Sequence, residues 1–289
     1  MSSSIVAAAT GFLRADGGAV ANDGTPCTSA NSHLFGNGCG FVAPSKDIFN
    51  FSGRPAFTVF GWGVTKPVLE VLLIVVLLIT FFWIAFAKPK LVPRGVQNVG
   101  EVAYLFIRDQ VARDSMGKKG DKYVPFLFSL FFFVWLMNVM SFVPGIQFPV
   151  SSNIAFPASL AVMVWLTYMY AGFQRHGLGY FRVLGVPSGV PLLILFILTP
   201  IELLSNIFVR PFTLMIRLFA NMFAGHLLLV TFSVGAWYMF SVKGILFAGA
   251  SFTMAMVMTG FELFIQALQA YIFVMLTASY LAGALEEAH

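Results

Sequence analysis

Charge is scarce in this chain: Asp, Glu, Lys and Arg together make up only 10% of its 289 residues. A soluble domain carries about 25%, so a fold with water on every side is excluded. Cysteine is nearly absent, with Cys27 and Cys39 the only two, and there are four histidines. Two thiols and scattered imidazoles cannot build a metal cluster, which leaves a disulfide or two free thiols. No Gly-rich phosphate loop ending in Lys-Ser or Lys-Thr occurs, so neither a nucleotide nor any other cofactor is expected on this chain. A cleavable leader is not expected either, because Ile5–Ala9 is too short an apolar stretch and no basic residue precedes it.

What the chain has in quantity is apolar surface, with 58% hydrophobic residues and 33 Phe. The simplest solvent for such a chain is lipid. The net charge of +5 is modest, and the basic residues concentrate between Lys88 and Lys122. A basic stretch between apolar runs marks the cytoplasmic side of a membrane protein rather than a nucleic-acid site.

Residues 1–65 are rich in Gly, Ser, Asn and Asp and read as a loop-rich segment in water. Residues 66–289 read as the membrane domain. Val68–Ala87 is long enough to span, with one acid, Glu70, near its start, and Lys88, Pro89 and Lys90 end it. In Gln97–Arg113, Val99, Val102, Ala103, Phe106 and Ile107 take one helical face, while Asn98, Glu101, Arg108, Asp109 and Arg113 take the other. That pattern predicts an amphipathic helix at the membrane surface, or a connector helix of the same sidedness. Val124–Val143 and Phe156–Phe173 are further spans. Val190–Val209 is interrupted by Glu202, Pro211–Val242 holds only Arg217 and His226, and Ile245–Leu285 holds the single acid Glu262. These last segments exceed a bilayer thickness at about 1.5 Å per residue, so strong tilt or a bend near Pro211 is expected. The fold class is therefore an all-α integral membrane protein with five membrane-embedded helices, the last two long and strongly tilted, plus one amphipathic surface helix.

Loop charge sets the orientation. The loop after the first span holds eight cations between Lys88 and Lys122, the stretch Gly145–Asn153 holds none, the next loop holds Arg175, His176 and Arg182, and the last holds only Lys243. The alternation places the N-terminal segment outside and the C-terminus in the cytoplasm.

An ionisable residue inside a membrane helix costs about 2.5–3.5 kcal/mol on insertion scales. Glu202, Arg217, His226 and Glu262 all sit in the C-terminal half, accompanied by Asn206, Asn221, Gln266 and Gln269. That is too many groups, too widely spread, for one structural ion pair, and it points to a polar pathway. Arg217 and Asn221, four apart, share a helix face; His226, nine residues beyond Arg217, falls on the opposite one. Glu262, Gln266 and Gln269 share a face of the final helix. A carboxylate and an imidazole can relay protons. Arginine keeps its proton in proteins, so Arg217 acts as a fixed charge that deprotonates a passing carboxylate and repels hydronium.

The run Arg210-Pro211-Phe212-Thr213-Leu214-Met215-Ile216-Arg217-Leu218-Phe219-Ala220-Asn221-Met222-Phe223-Ala224-Gly225-His226 resembles the signature of the subunit a family of the F-type ATP synthase membrane sector. Phe261 to Phe273, with Glu262, Gln266 and Gln269, resembles the second signature of that family, and the likeness extends upstream through Trp135–Asn138 and Pro144. The resemblance implies a stationary proton-channel subunit beside a rotating ring of c subunits, with two offset half-channels leading to the ring carboxylates. Arg217 matches the essential arginine between them, His226 and Glu262 match the outer half-channel, Asn221 and Gln269 match polar neighbours of the arginine, and Glu202 is assigned to the cytoplasmic half-channel. Ser141 stands where some relatives carry an acid. Implied partners are the c ring, stator subunit b, other ATP synthase subunits and membrane lipid, with no nucleic acid. The implied location is a bacterial plasma membrane, and the chain would make and break no covalent substrate bond itself.

Two other readings compete. An autonomous cation/proton secondary transporter would need a complete site in one chain, usually with repeat halves, and no repeat is visible here. A non-conducting scaffold leaves the cost of Arg217, His226 and Glu262 unexplained. The orientation puts Cys27 and Cys39 in an oxidising compartment, so a disulfide between them is expected. Thiol titration of the denatured, unreduced chain should find no free thiol; two free thiols would refute the pairing.

Overall fold

Apolar runs of about 20 residues with few Gly or Pro interruptions have one low-cost conformation in lipid, a helix that satisfies its own backbone hydrogen bonds. The computed structural model describes residues 57–59, 62–87, 95–143, 150–185, 192–240 and 245–285, and among these almost every element is helical. Cys27 and Cys39 lie outside the described residues. Among the described residues, five helical runs are long and apolar enough to cross a membrane: Lys66–Phe86, Val96–Phe142, Ala155–His176, Phe196–Tyr238 and Ile245–Leu285. The end of the segment read as loop contains a feature the sequence reading missed, a short antiparallel ribbon of β1 (Phe57–Val59) and β2 (Trp62–Val64) that pairs Phe57 with Val64 and Val59 with Trp62.

Helix α1 (Lys66–Phe86) has only 17% of its apolar window buried in protein. Leu72, Ile79, Trp83 and Ile84 are all exposed. At about 25 cal/mol per Å² of apolar area, that surface is tolerable only against acyl chains. Helix α2 (Val96–Ile107) exposes Val99, Val102 and Phe106 and buries Gln97, Gly100 and Ile107. Three residues of the apolar face foreseen for an amphipathic helix, Val99, Val102 and Phe106, are thus uncovered by protein, whereas Ile107 of the same face is fully buried.

Beyond α2 the chain does not stop at Arg113. A π turn (Arg108–Ala112) leads into α3 (Arg113–Met116), and a 3₁₀ stretch (Gly117–Tyr123) leads into α4 (Val124–Val139). The Arg113 backbone N–H donates to the Arg108 carbonyl five residues back, the wide spacing of a π turn. Arg113 clasps Asp121 through two bonds of 2.8 and 2.9 Å, and Arg108 holds Asp109 in the same forked way. These pairs are open to solvent and screened by it, so they add little to stability.

The fold separates into two units. In one, comprising the described residues of Glu70–Ala220 and Gln266–His289, the rings of Phe82, Phe128 and Phe132 form a mutual cluster with centroids 4.8–5.4 Å apart. Helix α5 (Ala155–His176) turns through a 3₁₀ residue triplet into α6 (Tyr180–Gly185). Tyr180 is fully buried against Gly172, and burial pushes its phenol up to about 12, so the ring stays neutral. The other unit contains the described residues before Glu70 together with Asn221–Ile265. Here Ser251 Oγ donates to the Phe232 carbonyl at 2.9 Å, beside Gly235.

Near Pro211, where strong tilt or a bend is expected, the chain stays helical. Helix α7 (Leu192–Leu204) passes through a π turn (Ser205–Val209) directly into α8 (Arg210–Tyr238). Pro211 has no N–H to give to the preceding turn, and a wide turn accommodates that loss without ending the helix. The Arg210 N–H reaches back to the Ser205 carbonyl. The last helix, α9 (Ile245–Leu285), runs unbroken for 41 residues.

A Cβ added at Gly172 would lie 2.2 Å from the Tyr180 ring. Gly172→Ala is therefore expected to destabilise the detergent-solubilised chain by about 1–3 kcal/mol. Adding Tyr180→Ala should recover part of the loss in a double-mutant cycle read by thermal unfolding; strictly additive effects would show that the contact is not the cause.

Candidate functional site

Helix α8 presents two faces of different character. Leu214, Leu218 and Met222 are almost fully buried, while Thr213, Arg217, Ala220 and Ala224, at helical spacings of four, three and four, form an exposed stripe. Arg217 is thus an arginine on an uncovered face of a helix apolar enough to span a membrane. Its neighbours on that stripe are small, which leaves room for another helix to come close. Asn221, one turn on, is half-buried.

His226, by contrast, is buried at 8% exposure. The nine-residue separation that predicted opposite faces appears as one exposed cation and one enclosed imidazole. Glu262 is likewise buried, at 7% exposure, and its carboxyl group lies against Gly225, the residue before His226. The sequence brings this about through glycine: a Cβ at position 225 would stand 2.6 Å from Glu262 Oε1 and 2.7 Å from its carboxyl carbon. Two titratable groups separated by 36 positions in the chain are therefore enclosed in the same part of one unit. No regular packing preference of an apolar helix would collect them there, given the cost of placing each out of water.

The remaining candidates are placed in the other unit. Gln266 is fully buried and Gln269 nearly so, and Asn138 on α4 reaches the Gln266 backbone carbonyl through a long 3.5 Å hydrogen bond. Asn138 thus makes the interhelical contact that its position suggested. Ser141 is buried and donates to the Asn138 carbonyl at 2.6 Å. Glu202 is half-exposed on α7. Asn206, one turn later, is buried in the π turn, with its Nδ2 donating to the Leu184 carbonyl at 2.9 Å. Tyr168 Oη donates to the Asn206 carbonyl at 2.6 Å, using a backbone acceptor in the irregular turn. Arg210 stacks over the Tyr280 ring at 5.1 Å, and Tyr280 meets Tyr168 edge-on.

Three of these groups were passed over as site residues in the sequence. Tyr168 and Tyr280 carry no signal distinguishing them from interfacial aromatics. Glu70 did carry one, as the single acid near the start of the first apolar run, and it is not among the expected site residues. It is buried at 5% exposure, and its Oε1 has no hydrogen-bond partner among the described residues.

The fold and these groups define a polytopic helical membrane protein that holds ionisable side chains within its spans. The chain matches the ATP synthase A chain family over residues 68–282. It is 48% identical to the ATP synthase subunit a of Streptomyces lividans over 288 residues, which is 95% of this chain and 99% of that one. It is 45% identical to that of Frankia alni over 85% of this chain and 86% of the relative, and 41% identical to that of a Nocardioides species over 87% and 96%. The chain belongs to the ATP synthase A chain family.

The close seat of Glu262 makes Gly225 a sensitive position. Gly225→Ala should push the carboxyl group aside and lower proton transport by the assembled complex, up to about 100-fold for a displacement near 1 Å. Combining it with Glu262→Asp, one methylene shorter, should restore part of the rate in vesicle acidification assays. An unchanged rate in Gly225→Ala would show that the position of Glu262 does not matter.

Proposed function

We propose that this chain is the stationary proton-conducting subunit of a rotary ATP synthase, passing protons through two offset half-channels to and from the carboxylates of a c-subunit ring. The observation that carries the reading is the exposure of Arg217. A guanidinium on a bare helix face costs a few kcal/mol in hydrocarbon, so that face needs a partner bearing compensating negative charge. A ring of hairpins, each with one membrane carboxylate, answers this requirement, and the small residues Thr213, Ala220 and Ala224 permit its approach.

The mechanism follows from the charges. A protonated ring carboxyl can travel through lipid, but an ionised one cannot. On reaching Arg217 the carboxyl releases its proton, because the fixed cation favours its charged form. That proton leaves by one half-channel, and the carboxylate is reprotonated from the other before returning to lipid. Arg217 repels hydronium and so prevents a direct leak between the two paths. Glu262 and His226, enclosed together, act as relays in the outer half-channel. Asn221, Gln266 and Gln269 supply polar contacts near the arginine. Glu202, with Asn206 beside it, serves the cytoplasmic half-channel.

In this reading residues 1–65 form an extracytoplasmic segment and residues 66–289 the channel domain. The chain lies in a bacterial plasma membrane with its N-terminus outside and its C-terminus inside. Its partners are the c ring, stator subunit b and the other subunits of the synthase. Nucleotide chemistry belongs to those subunits, and this chain converts a proton gradient into rotation.

Arg217→Ala is expected to abolish ATP-driven acidification of inverted vesicles while the complex stays assembled. Glu262→Gln should slow it by about 100-fold or more, the scale of a lost proton-transfer group. Normal acidification by both variants would sink the assignment, and transport by the purified chain without a ring would favour an autonomous transporter instead.

A further inference from the structure

Pro211 constrains the turn before it. In a regular helix its missing N–H would leave the Ile207 carbonyl without a donor, and its ring would press on that carbonyl. The π turn (Ser205–Val209) avoids this by taking one residue more than an α turn. It creates a different orphan. The N–H of Arg210, four residues beyond Asn206, is given to the Ser205 carbonyl. The residue five beyond Asn206 is Pro211, which has no N–H. The helix ladder therefore offers the buried Asn206 carbonyl no donor, and an unmade hydrogen bond there is costly.

Tyr168 supplies the donor. Its hydroxyl, on a side chain of 1% exposure, gives the Asn206 carbonyl a 2.6 Å bond. The Asn206 side chain ties the turn to a second element. Its Nδ2 donates at 2.9 Å to the carbonyl of Leu184, which lies in the last turn of α6 and has no partner within that helix. Just beyond the turn, Arg210 lies over the Tyr280 ring, and that ring meets Tyr168 edge-on with centroids 5.9 Å apart. All of these residues share one unit with Arg217.

The extra residue sets a phase. One residue is about 100° of helix, so the Arg210–Ala220 part of α8 lags by that angle behind a regular continuation of α7. In a regular continuation each side chain there would take the direction that its successor has now. Arg217 would take the direction of Leu218, which is 1% exposed, and Thr213 that of Leu214, which is equally buried. Met215, now half-buried, would take the exposed direction of Ile216. Helix α7 is seated against α6, where Thr199 Cγ2 would stand 3.0 Å from a Cβ at Gly185, so the rotation falls on α8.

We propose that Tyr168 is a positioning residue for Arg217: with Pro211 and Asn206 it holds the π turn, and the turn holds α8 at the phase where the guanidinium is uncovered. This role rests on the reading of Arg217 as the fixed cation that meets the ring, since only then does the phase of α8 matter for transport.

The test combines Tyr168→Phe, which removes the hydroxyl, with Pro211→Ala, which gives a regular helix the N–H it lacks. Asn206 is left in place because it stands beside Glu202 in the proposed cytoplasmic half-channel. Nitroxide labels are attached at Thr213→Cys or Met215→Cys in the full-length chain carrying Cys27→Ser and Cys39→Ser, in lipid nanodiscs. Transport is read as ATP-driven acidification of inverted vesicles holding the whole complex. With the native turn, the label at position 213 should be mobile and open to oxygen dissolved in lipid, and the label at 215 restrained. In the Tyr168→Phe, Pro211→Ala chain the two should exchange behaviour, and acidification should fall by about tenfold or more with the chain still assembled. Deleting Phe208, an exposed residue of the turn, from that chain should restore both, because a regular helix one residue shorter has the native phase. Damage to the fold would not be repaired by a further deletion. An unchanged label pattern overturns the role of Tyr168, and so does an exchanged pattern with acidification intact. Arg217→Ala in the same vesicles separates the two readings. Normal acidification there removes the fixed-cation reading itself; its loss there, beside intact acidification in Tyr168→Phe, Pro211→Ala, overturns the positioning role alone.

Discussion

A full charge in hydrocarbon has no water to stabilise it, and the placing of Arg217 is governed by that penalty. A soluble protein would turn such a residue outward and leave it there. In this chain outward means lipid, so an exposed arginine is a demand for a partner rather than a resting state. Leu214 and Leu218, about 60° and 100° around α8 from Arg217, are buried while the guanidinium is uncovered. His226 of the same helix is enclosed.

Enclosing polar groups inside apolar helices requires close approach, because hydrogen bonds lose most of their strength beyond about 3.2 Å. The chain achieves this with absent side chains. Gly225 lets the Glu262 carboxyl group lie against the backbone of α8, and Gly172 lets the Tyr180 ring lie against α5. Irregular turns do related work. The π turn at Ser205–Val209 leaves backbone carbonyls outside the regular helix ladder, and Tyr168 uses one of them. Such turns are common where a helix serves a function as well as a span. Here the turn sits between Glu202 and Arg217, two of the residues on which the proposed pathway depends.

Charge that serves no pathway is kept at the ends of the spans. The forked pairs of Arg108 with Asp109 and Arg113 with Asp121 lie just before α4, and Lys119, Lys122 and Arg175 line one cavity where α4 begins and α5 ends. Apolar surface on α1 and on the exposed face of α2 is the surface left for lipid to cover.

Much of this was legible before any coordinates. The spans, the amphipathic character of the stretch after the first span, and the short roster of intramembrane ionisable groups all follow from residue type and period, since lipid permits few alternatives to a helix and makes every charge conspicuous. The opposite faces of Arg217 and His226 followed from a spacing of nine. Pro211 suggested strong tilt or a bend, and the local form that carries the helix through it, a π turn, has no signal in the sequence. Short strands before the first span escaped because a few residues of β character leave no periodic trace. Proximity across the chain belonged to the tertiary structure alone. Nothing in the spacing of position 225 and position 262 says that a carboxyl group rests on a glycine, or that Lys119, Lys122 and Arg175 line one cavity, because helix period constrains neighbours along a helix and leaves the meeting of separate helices to packing.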